Sequence, residues 1–285
     1  DHIANCTFES DGYIGNVLVD AYAKCGSIDD ARKVFCSLEK CDVVAWGAMI
    51  EGLVQNADCE EALRLFNKMQ QEMITPDRVV TISVLKACCN ESLFYDGKII
   101  HYFAILNRFE SDPLINNSVI DMYAKCGRIS EARNVFNTLP KKNVVTWNAM
   151  IGGYVNHGDL EETVKLLQGL ESTDLELNVV AYLYMITVCT RKQSLDHGWC
   201  VHGLITTEGF ECNLLICNAL INMYLKCRSF DDAKSVYDGM PIHDVVTWNA
   251  MIAAACSQPD QRNKGLVLFQ RMQESGLCPN QITYV

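Results

Sequence analysis

The sequence predicts an all-α fold, a solenoid of stacked helix-turn-helix units, and three observations predict it. Trp46, Trp147 and Trp248 recur every 101 residues, inside Val-Val-Ala-Trp-Gly-Ala-Met-Ile and two copies of Val-Val-Thr-Trp-Asn-Ala-Met-Ile. Cys25, Cys126 and Cys227 keep the same interval, inside Tyr-Ala-Lys-Cys-Gly (22–26 and 123–127) and Tyr-Leu-Lys-Cys-Arg (224–228). Within each period, apolar residues fall at i, i+3, i+4 and i+7, the spacing of one helix face. Two unrelated words on one period mean a tandem array, whose core is built between neighbouring units.

Each element follows from local signals. The middle copy predicts a first helix from Asn117 to Lys125, ended by Gly127 as a left-handed cap. A second helix carries Ala132, Val135, Phe136 and Leu139, and Pro140 closes it. The same parts recur as Ala31, Val34 and Phe35, and as Ala233, Val236 and Tyr237. Arg228 replaces the turn glycine in the third copy, which strains that turn or shifts its geometry. Asp29, Asp30, Glu60, Glu61, Glu131, Glu161, Glu162, Asp231 and Asp232 fall just after a helix break. In the first turn of a second helix, carboxylates complement the helix dipole. Much of the net charge of −11 is thereby structural, and its sign argues against a general nucleic-acid glue.

An apolar fraction of 49% in 285 residues can fill a continuous core, and no apolar run is long enough to span a bilayer. The cysteine count, 15, is odd, and no Cys-x-x-Cys occurs. Buried free thiols acting as small hydrophobes are therefore expected rather than a disulfide framework. The chain starts at Asp1 and stops at Val285 in mid-repeat. It reads as a segment of a longer protein, so the lack of a targeting peptide carries no information about the whole.

On these words, period and subperiods, the whole chain resembles the plant pentatricopeptide repeat family, PLS subclass. That subclass alternates P, L and S motifs of about 35, 35 and 31 residues. The resemblance implies a right-handed α-solenoid of helix-turn-helix pentatricopeptide repeats. It parses the chain as S 12–42, P 43–77, L 78–112, S 113–143, P 144–178, L 179–213, S 214–244 and P 245–280, with partial L motifs at 1–11 and 281–285. The last P motif is one residue long, through an insertion near Gln258, Pro259 and Asp260. The tetratricopeptide repeat, with a constant period of 34 and a Trp-x-x-Leu-Gly-x-x-Tyr word, does not fit.

Repeats of this family read RNA one base per unit. By resemblance, the fifth and last residues of a motif choose the base. The pairs are Asn16 with Asp42, Gly47 with Asp77, Ile82 with Asp112, Asn117 with Asn143, Asn148 with Asn178, Leu183 with Asn213, Asn218 with Asp244, and Asn249 with Asn280. The family's rule gives U to Asn–Asp and a pyrimidine to Asn–Asn. This is chemically sound, because an ionised Asp only accepts and suits the imino N–H of U, whereas an Asn amide can also donate to N3 of C. From 5′ to 3′ the expected RNA is U, two open positions, two pyrimidines, one open position, U and a pyrimidine. Ile82 and Leu183 cannot hydrogen-bond a base edge, and Gly47 offers no side chain. A single Asn at the fifth position could instead be a helix cap; five at one register favour base reading.

The second residues, Tyr13, Val44, Val79, Leu114, Val145, Val180, Leu215 and Val246, clamp the base in the family; ordinary packing between repeats is the other reading. Lys24, Lys125 and Lys226 close S-motif first helices, where a cation complements the dipole. In the family this lysine faces RNA phosphate, and Arg191 falls on the same expected groove. So few cations predict modest non-specific affinity and a shallow salt dependence. The three tryptophans are expected in the core, against the neighbouring unit's second helix.

Relatives of this subclass often end in a zinc-dependent cytidine deaminase, which needs His-x-Glu and Cys-x-x-Cys. None of His2, His101, His157, His197, His202 and His243 precedes a Glu by two residues. No catalytic, cofactor or metal site is therefore expected, and His101 and His202 read as packing or surface residues. The resemblance implies sequence-specific binding of single-stranded organellar RNA, in a mitochondrion or chloroplast, that specifies a C-to-U editing site. Further partners would be editing-factor proteins or a deaminase acting in trans, with no membrane and no small-molecule substrate. Splicing, cleavage or end protection of a transcript stay open as outcomes, and so does a protein-binding scaffold.

Overall fold

The computed structural model describes residues 12–173, 175, 177–257 and 262–284. The partial motif expected at 1–11 and the insertion near Gln258, Pro259 and Asp260 lie outside them. The described residues form sixteen α-helices and two short 3₁₀ turns, in two compact units, Asp1–Gly153 and Tyr154–Val285.

Unit one holds α1 (Gly12–Lys24), α2 (Ile28–Ser37), α3 (Val43–Gln55), α4 (Cys59–Gln71), α5 (Arg78–Ala87), α6 (Phe94–Leu106), α7 (Pro113–Lys125) and α8 (Ile129–Thr138). The division falls within α9 (Val144–His157). Unit two holds α10 (Leu160–Glu171), α11 (Val179–Lys192), α12 (Leu195–Thr207), α13 (Leu214–Lys226), α14 (Phe230–Gly239), α15 (Val245–Ser257) and α16 (Arg262–Glu274).

In unit one, α1, α3, α5 and α7 pack successively side by side as one layer. Each pairs with the helix that follows it, and each of α2, α4 and α6 also rests on the next first helix. Unit two repeats the scheme, with α11, α13 and α15 as one layer and α12, α14 and α16 as their partners. Both are helical-hairpin solenoid arrays, in which nearly every long-range contact lies between neighbours in sequence.

The hairpin turns follow from backbone chemistry. Gly26 and Gly127 take φ of 78° and 71°, and Ser27 and Arg128 donate back to the carbonyls of Tyr22 and Tyr123 at 2.9 and 2.8 Å. This is the six-to-one closure of a left-handed helix end. Arg228 keeps the turn at φ 61°, with Ser229 donating to Tyr224 at 2.9 Å. The expected strain is therefore real, while the geometry is unshifted. A non-glycine residue there costs roughly 1–2 kcal/mol. Close approach is the other reason for glycine: a Cβ on Gly52 of α3 would lie 2.3 Å from the Ala23 Cβ of α1.

Two helix bounds differ from expectation. The first helix of the middle copy starts at Pro113, not Asn117, because Asp112 caps it by accepting from the Leu114 and Ile115 amides. Leu139 falls just past α8, in extended backbone. The acidic pairs do sit in the first turns of α2, α4, α8, α10 and α14.

The core is built where a second helix meets the next first helix. Phe35 meets Trp46 edge-on at 4.9 Å, and Tyr237 meets Trp248 at 5.4 Å. Phe136 meets Trp147 at 4.9 Å, although Trp147 is only half-buried. Such aromatic pairs contribute about 0.5–1.5 kcal/mol beyond area burial. His101 and His202 are packing residues, each with Nδ1 on a tyrosine hydroxyl of the next first helix, Tyr123 at 3.0 Å and Tyr224 at 2.8 Å. Burial holds both imidazoles below their usual pKa.

The cysteines correct an expectation. Cys88, Cys126, Cys189 and Cys217 are buried, and burial pushes Cys89 up to about 12 and Cys189 to about 11. Cys25, Cys36, Cys200, Cys212, Cys256 and Cys278 are exposed instead, because they fall on turns and outer faces that no neighbouring helix covers.

Candidate nucleic-acid interface

Three positions recur at the start of every first helix: the residue before it, its second residue and its fifth. The residue before it is a helix cap. Asp42 accepts from the Val44 and Ala45 amides at 3.0 and 2.9 Å. Asp77, Asp112, Asn178 and Asn213 cap α5, α7, α11 and α13 in the same way. Asn143 and Asp244 accept from the Thr146 and Thr247 amides, each at 2.8 Å. An N-cap oxygen stabilises its helix by about 1 kcal/mol. It also has a directional consequence: one terminal atom turns toward the helix, and the other faces away. That outward atom is an acceptor for Asp and a donor for Asn.

The fifth residues are not caps. They lie a turn inside the first helices, and Asn16, Asn218 and Asn249 bond to the next hairpin's cap, because adjacent first helices bring the two into register. Asn16 Nδ2 donates to both oxygens of Asp42 at 3.0 and 3.1 Å. Asn218 Nδ2 does the same to Asp244, at 3.2 Å to each oxygen. Asn249 Nδ2 donates to Asn280 Oδ1 at 3.1 Å. Asn117 Nδ2 is buried with no partner among the described residues. A stranded donor costs roughly 1–3 kcal/mol, which an incoming acceptor would relieve. Asn148 is buried in α9, Asn178 caps α11, and the two belong to different units. Ile82 and Leu183 sit half-buried at the equivalent places, and Gly47 is buried.

The second residues are not core residues, though packing between repeats can still cover part of each. Tyr13, Val44, Val79, Leu114, Val145, Val180, Leu215 and Val246 are all exposed, from 40% for Val180 to 78% for Tyr13. The cap fixes the helix start so that its second residue points off the packed face. In unit one, Tyr13, Val44 and Val79 border an open trough of about 600 Å³ together with Asn16, Asp42, Gly47 and Asp77.

The cations fit expectation less well. Lys24 and Lys125 are each held at 2.7 Å by a carboxylate one turn back, Asp20 and Asp121. For Lys226 that place is taken by Asn222. Arg191 is exposed, and its Nη1 donates to the Val155 carbonyl. A trough of about 660 Å³ in unit two is lined by Lys226, Arg228 and Asn222. Asp20, Glu51, Asp42 and Asp77 line the trough of unit one.

A further position was not singled out from the sequence. Thr146, Thr247 and Thr283, three residues past a cap, donate their hydroxyls to Asn117, Asn218 and Asn249 Oδ1 at 2.7, 2.6 and 2.7 Å. The cap-x-x-Thr spacing of a capping box was the available signal. Burial pushes the Asp244 carboxyl up, but hydrogen bonds from Thr247, Asn218 and the Val246 amide together hold it below the usual carboxylate value. Among the described residues, no group of three His, Cys, Asp or Glu could hold a metal ion, and no helix is long and apolar enough to cross a membrane.

The model of the PPR repeat family matches residues 41–90, 142–191 and 243–285, and that of the PPR repeat matches 16–43, 117–144 and 215–245. The chain belongs to the PPR repeat family. Relatives include a mitochondrial pentatricopeptide repeat-containing protein of Arabidopsis thaliana, 36% identical, with 93% of this chain and 38% of the relative covered. A chloroplastic one from the same plant is 35% identical over 95% of this chain and 51% of its own length. The chain thus spans well under two thirds of these relatives. Among solved PPR structures, PPR10 in complex with an 18-nt psaJ RNA element superposes with a TM-score of 0.81, at 19% identity, over 96% of this chain and 41% of PPR10. PPR10 from maize gives 0.78, at 19% identity, over 95% and 40%. At this identity the likeness establishes the fold, an all-helical repeat solenoid.

Proposed function

We propose that this PPR chain binds single-stranded RNA in a sequence-specific way, one nucleotide per hairpin, with the fifth residue and the next cap reading the base edge. The observation that carries the reading is the exposure of the second residues: eight apolar side chains, 40–78% exposed, each the second residue of a first helix. Isolated exposed apolar residues need no explanation, but a row at one register beside paired amide and carboxylate tips suits a stack of flat bases with polar edges. The 18-nt RNA element in complex with PPR10 supports the same class of ligand. In the PLS parse, the target reads U, two open positions, two pyrimidines, one open position, U and a pyrimidine. The two Asn–Asp pairs set the U positions, since an outward carboxylate oxygen accepts the imino proton of U.

By the subclass resemblance, the biological role is to specify a C-to-U editing site on an organellar transcript, with the deaminase on the same protein or supplied in trans. The names of the relatives, mitochondrial and chloroplastic, support an organelle. Equilibrium binding of the full chain to an octamer of the expected sequence, and to an all-purine octamer, tests the binding claim. The first is expected to bind at least about tenfold more tightly, from roughly 1–3 kcal/mol per base pairing lost. Equal affinity, or none for either, refutes it. Sequencing organellar transcripts after loss of the gene tests the role: one cytidine left unconverted is expected, and a complete editing profile refutes it.

A further inference from the structure

We propose that Thr247 and Thr283 are positioning residues for base discrimination: each locks the amide of the preceding hairpin's asparagine in one orientation, so that the asparagine offers a nucleotide only a donor. The proposal rests on the base-reading function above.

The hydrogen bonds around Asn218 allow one consistent assignment. Its amide end lies 3.2 Å from each oxygen of Asp244, and its other end lies 2.6 Å from Thr247 Oγ1. With Oδ1 toward the carboxylate, two acceptors would face each other. The nitrogen must therefore face Asp244, and the threonine proton must go to Asn218 Oδ1. Asn249 gives the same answer independently. Asn280 Oδ1 already accepts from the Ile282 and Thr283 amides at 3.0 and 3.2 Å. It can only be an acceptor toward Asn249, which leaves Asn249 Oδ1 for the Thr283 hydroxyl at 2.7 Å. Thr146 Oγ1 lies 2.7 Å from the Asn117 amide and 2.9 Å from Asn143 Oδ1, so its proton has two acceptors, and only Asn218 and Asn249 carry the assignment.

Thr247 is buried, so its hydroxyl is not exchanging with bulk water. A turned asparagine would present an oxygen to the base and accept from the exocyclic amine of C; a locked one presents N–H, which suits the carbonyl oxygens of U. Beside Asp244 the hydroxyl thus closes the orientation that would admit C; beside Asn280, whose own amide can donate to N3 of C, a pyrimidine is still admitted. Asn16 lacks this lock. Ala45 stands where the threonine would be, and Asn16 keeps only its bonds to Asp42. Asn16–Asp42 should therefore separate U from C less sharply than Asn218–Asp244, although both are the same residue pair.

The test is equilibrium binding of the full chain to octamers with U or C at the first or the seventh base. Thr247→Val is expected to shrink the U:C ratio at the seventh base about fivefold, one net hydrogen bond's worth, and to leave the first base unaffected. Thr247→Ser is expected to restore it. Ala45→Thr is expected to widen the ratio at the first base, which keeps the test alive if Thr247→Val does not fold. Equal loss of affinity for both octamers in Thr247→Val, or an unchanged first-base ratio in Ala45→Thr, overturns the proposal and leaves the threonine as a helix cap only. Asp244→Asn is the control. If it moves the ratio and Thr247→Val does not, the threonine proposal alone falls; if it does not, the base-reading function falls with it.

Discussion

The junction of α1 with α3 and the junction of α13 with α15 hold the same Asn–Asp pair in almost the same geometry, inside opposite surroundings. Asn16 bonds both Asp42 oxygens at 3.0 and 3.1 Å, and Asn218 bonds both Asp244 oxygens at 3.2 Å. The trough of the first pair also holds Asp20 and Glu51, Lys24 is tied to Asp20, and Gly26 makes the turn after α1. In unit two the matching residues are Asn222, Ala253 and Arg228, which with Lys226 line a trough that has no carboxylate among its lining residues. The difference teaches that, in the proposed reading, examining a base and holding a phosphate are separable. The helix start would fix the first; a few surface charges, which differ between copies, would set the second.

That contrast can be broken by substitution. Lys226→Ala is expected to cost RNA binding about 1.5 kcal/mol, the low end for a hydrogen bond to a charged group, and Lys24→Ala clearly less. Titrations at several salt concentrations check this, and the slope should fall by about 0.7 for Lys226 alone, one phosphate on a single strand. Equal losses would erase the contrast. Arg228→Gly should separate stability from binding, raising the urea midpoint by about 1 kcal/mol of relieved backbone strain while weakening RNA binding. A variant that loses both would mean that Arg228 packs rather than strains.

Asp20→Asn and Asn222→Asp exchange the surroundings of the two lysines. The first should tighten RNA binding and the second loosen it, each by about 0.5 kcal/mol, because an exposed i,i+4 ion pair is weak and a phosphate can displace it. Anisotropy titrations at low salt would show the opposite signs; the same sign in both would contradict the contrast.

The smallest effect is on pH. His101 and His202 have folded pKa values lowered by burial, from an unfolded value of about 6.5. A depressed folded pKa contributes stability that is present above the unfolded value and lost as pH falls through the folded one. The melting temperature should therefore fall on acidification below about pH 6.5. His101→Gln should flatten the profile more than His202→Gln, since Asp232 partly offsets the desolvation of His202. Matching profiles for both variants would contradict that ordering.

The fold was legible because periodicity records burial. The 101-residue word marked Trp46, Trp147 and Trp248 as one environment, and each does meet a second-helix aromatic ring. Capping chemistry was legible only in part. Asn at the fifth position raised the possibility of a cap, whereas the caps proved to be the residues before each first helix, which is why α7 starts four residues earlier than expected. The lysines were placed by position alone. A carboxylate one turn back, Asp20 or Asp121, is legible in the sequence as an i,i+4 partner that competes with phosphate for the lysine. The Arg191 contact with the Val155 carbonyl joins residues on different helices, α11 and α9, and no local pattern encodes it. Exposure of the second residues was likewise hidden, because Val and Leu read as core in any sequence.

The central claim is that cap and fifth residue together examine a nucleotide, and Asp244→Asn tests it most directly. Asparagine still caps, as Asn178 and Asn213 do for their own helices, so the fold should be preserved while one outward acceptor becomes a donor. With octamers carrying U or C at the seventh base, preference is expected to move from U toward C by about 1 kcal/mol, the low end for a base-edge hydrogen-bond switch. An unchanged ratio, with RNA still bound at wild-type affinity, would contradict the account.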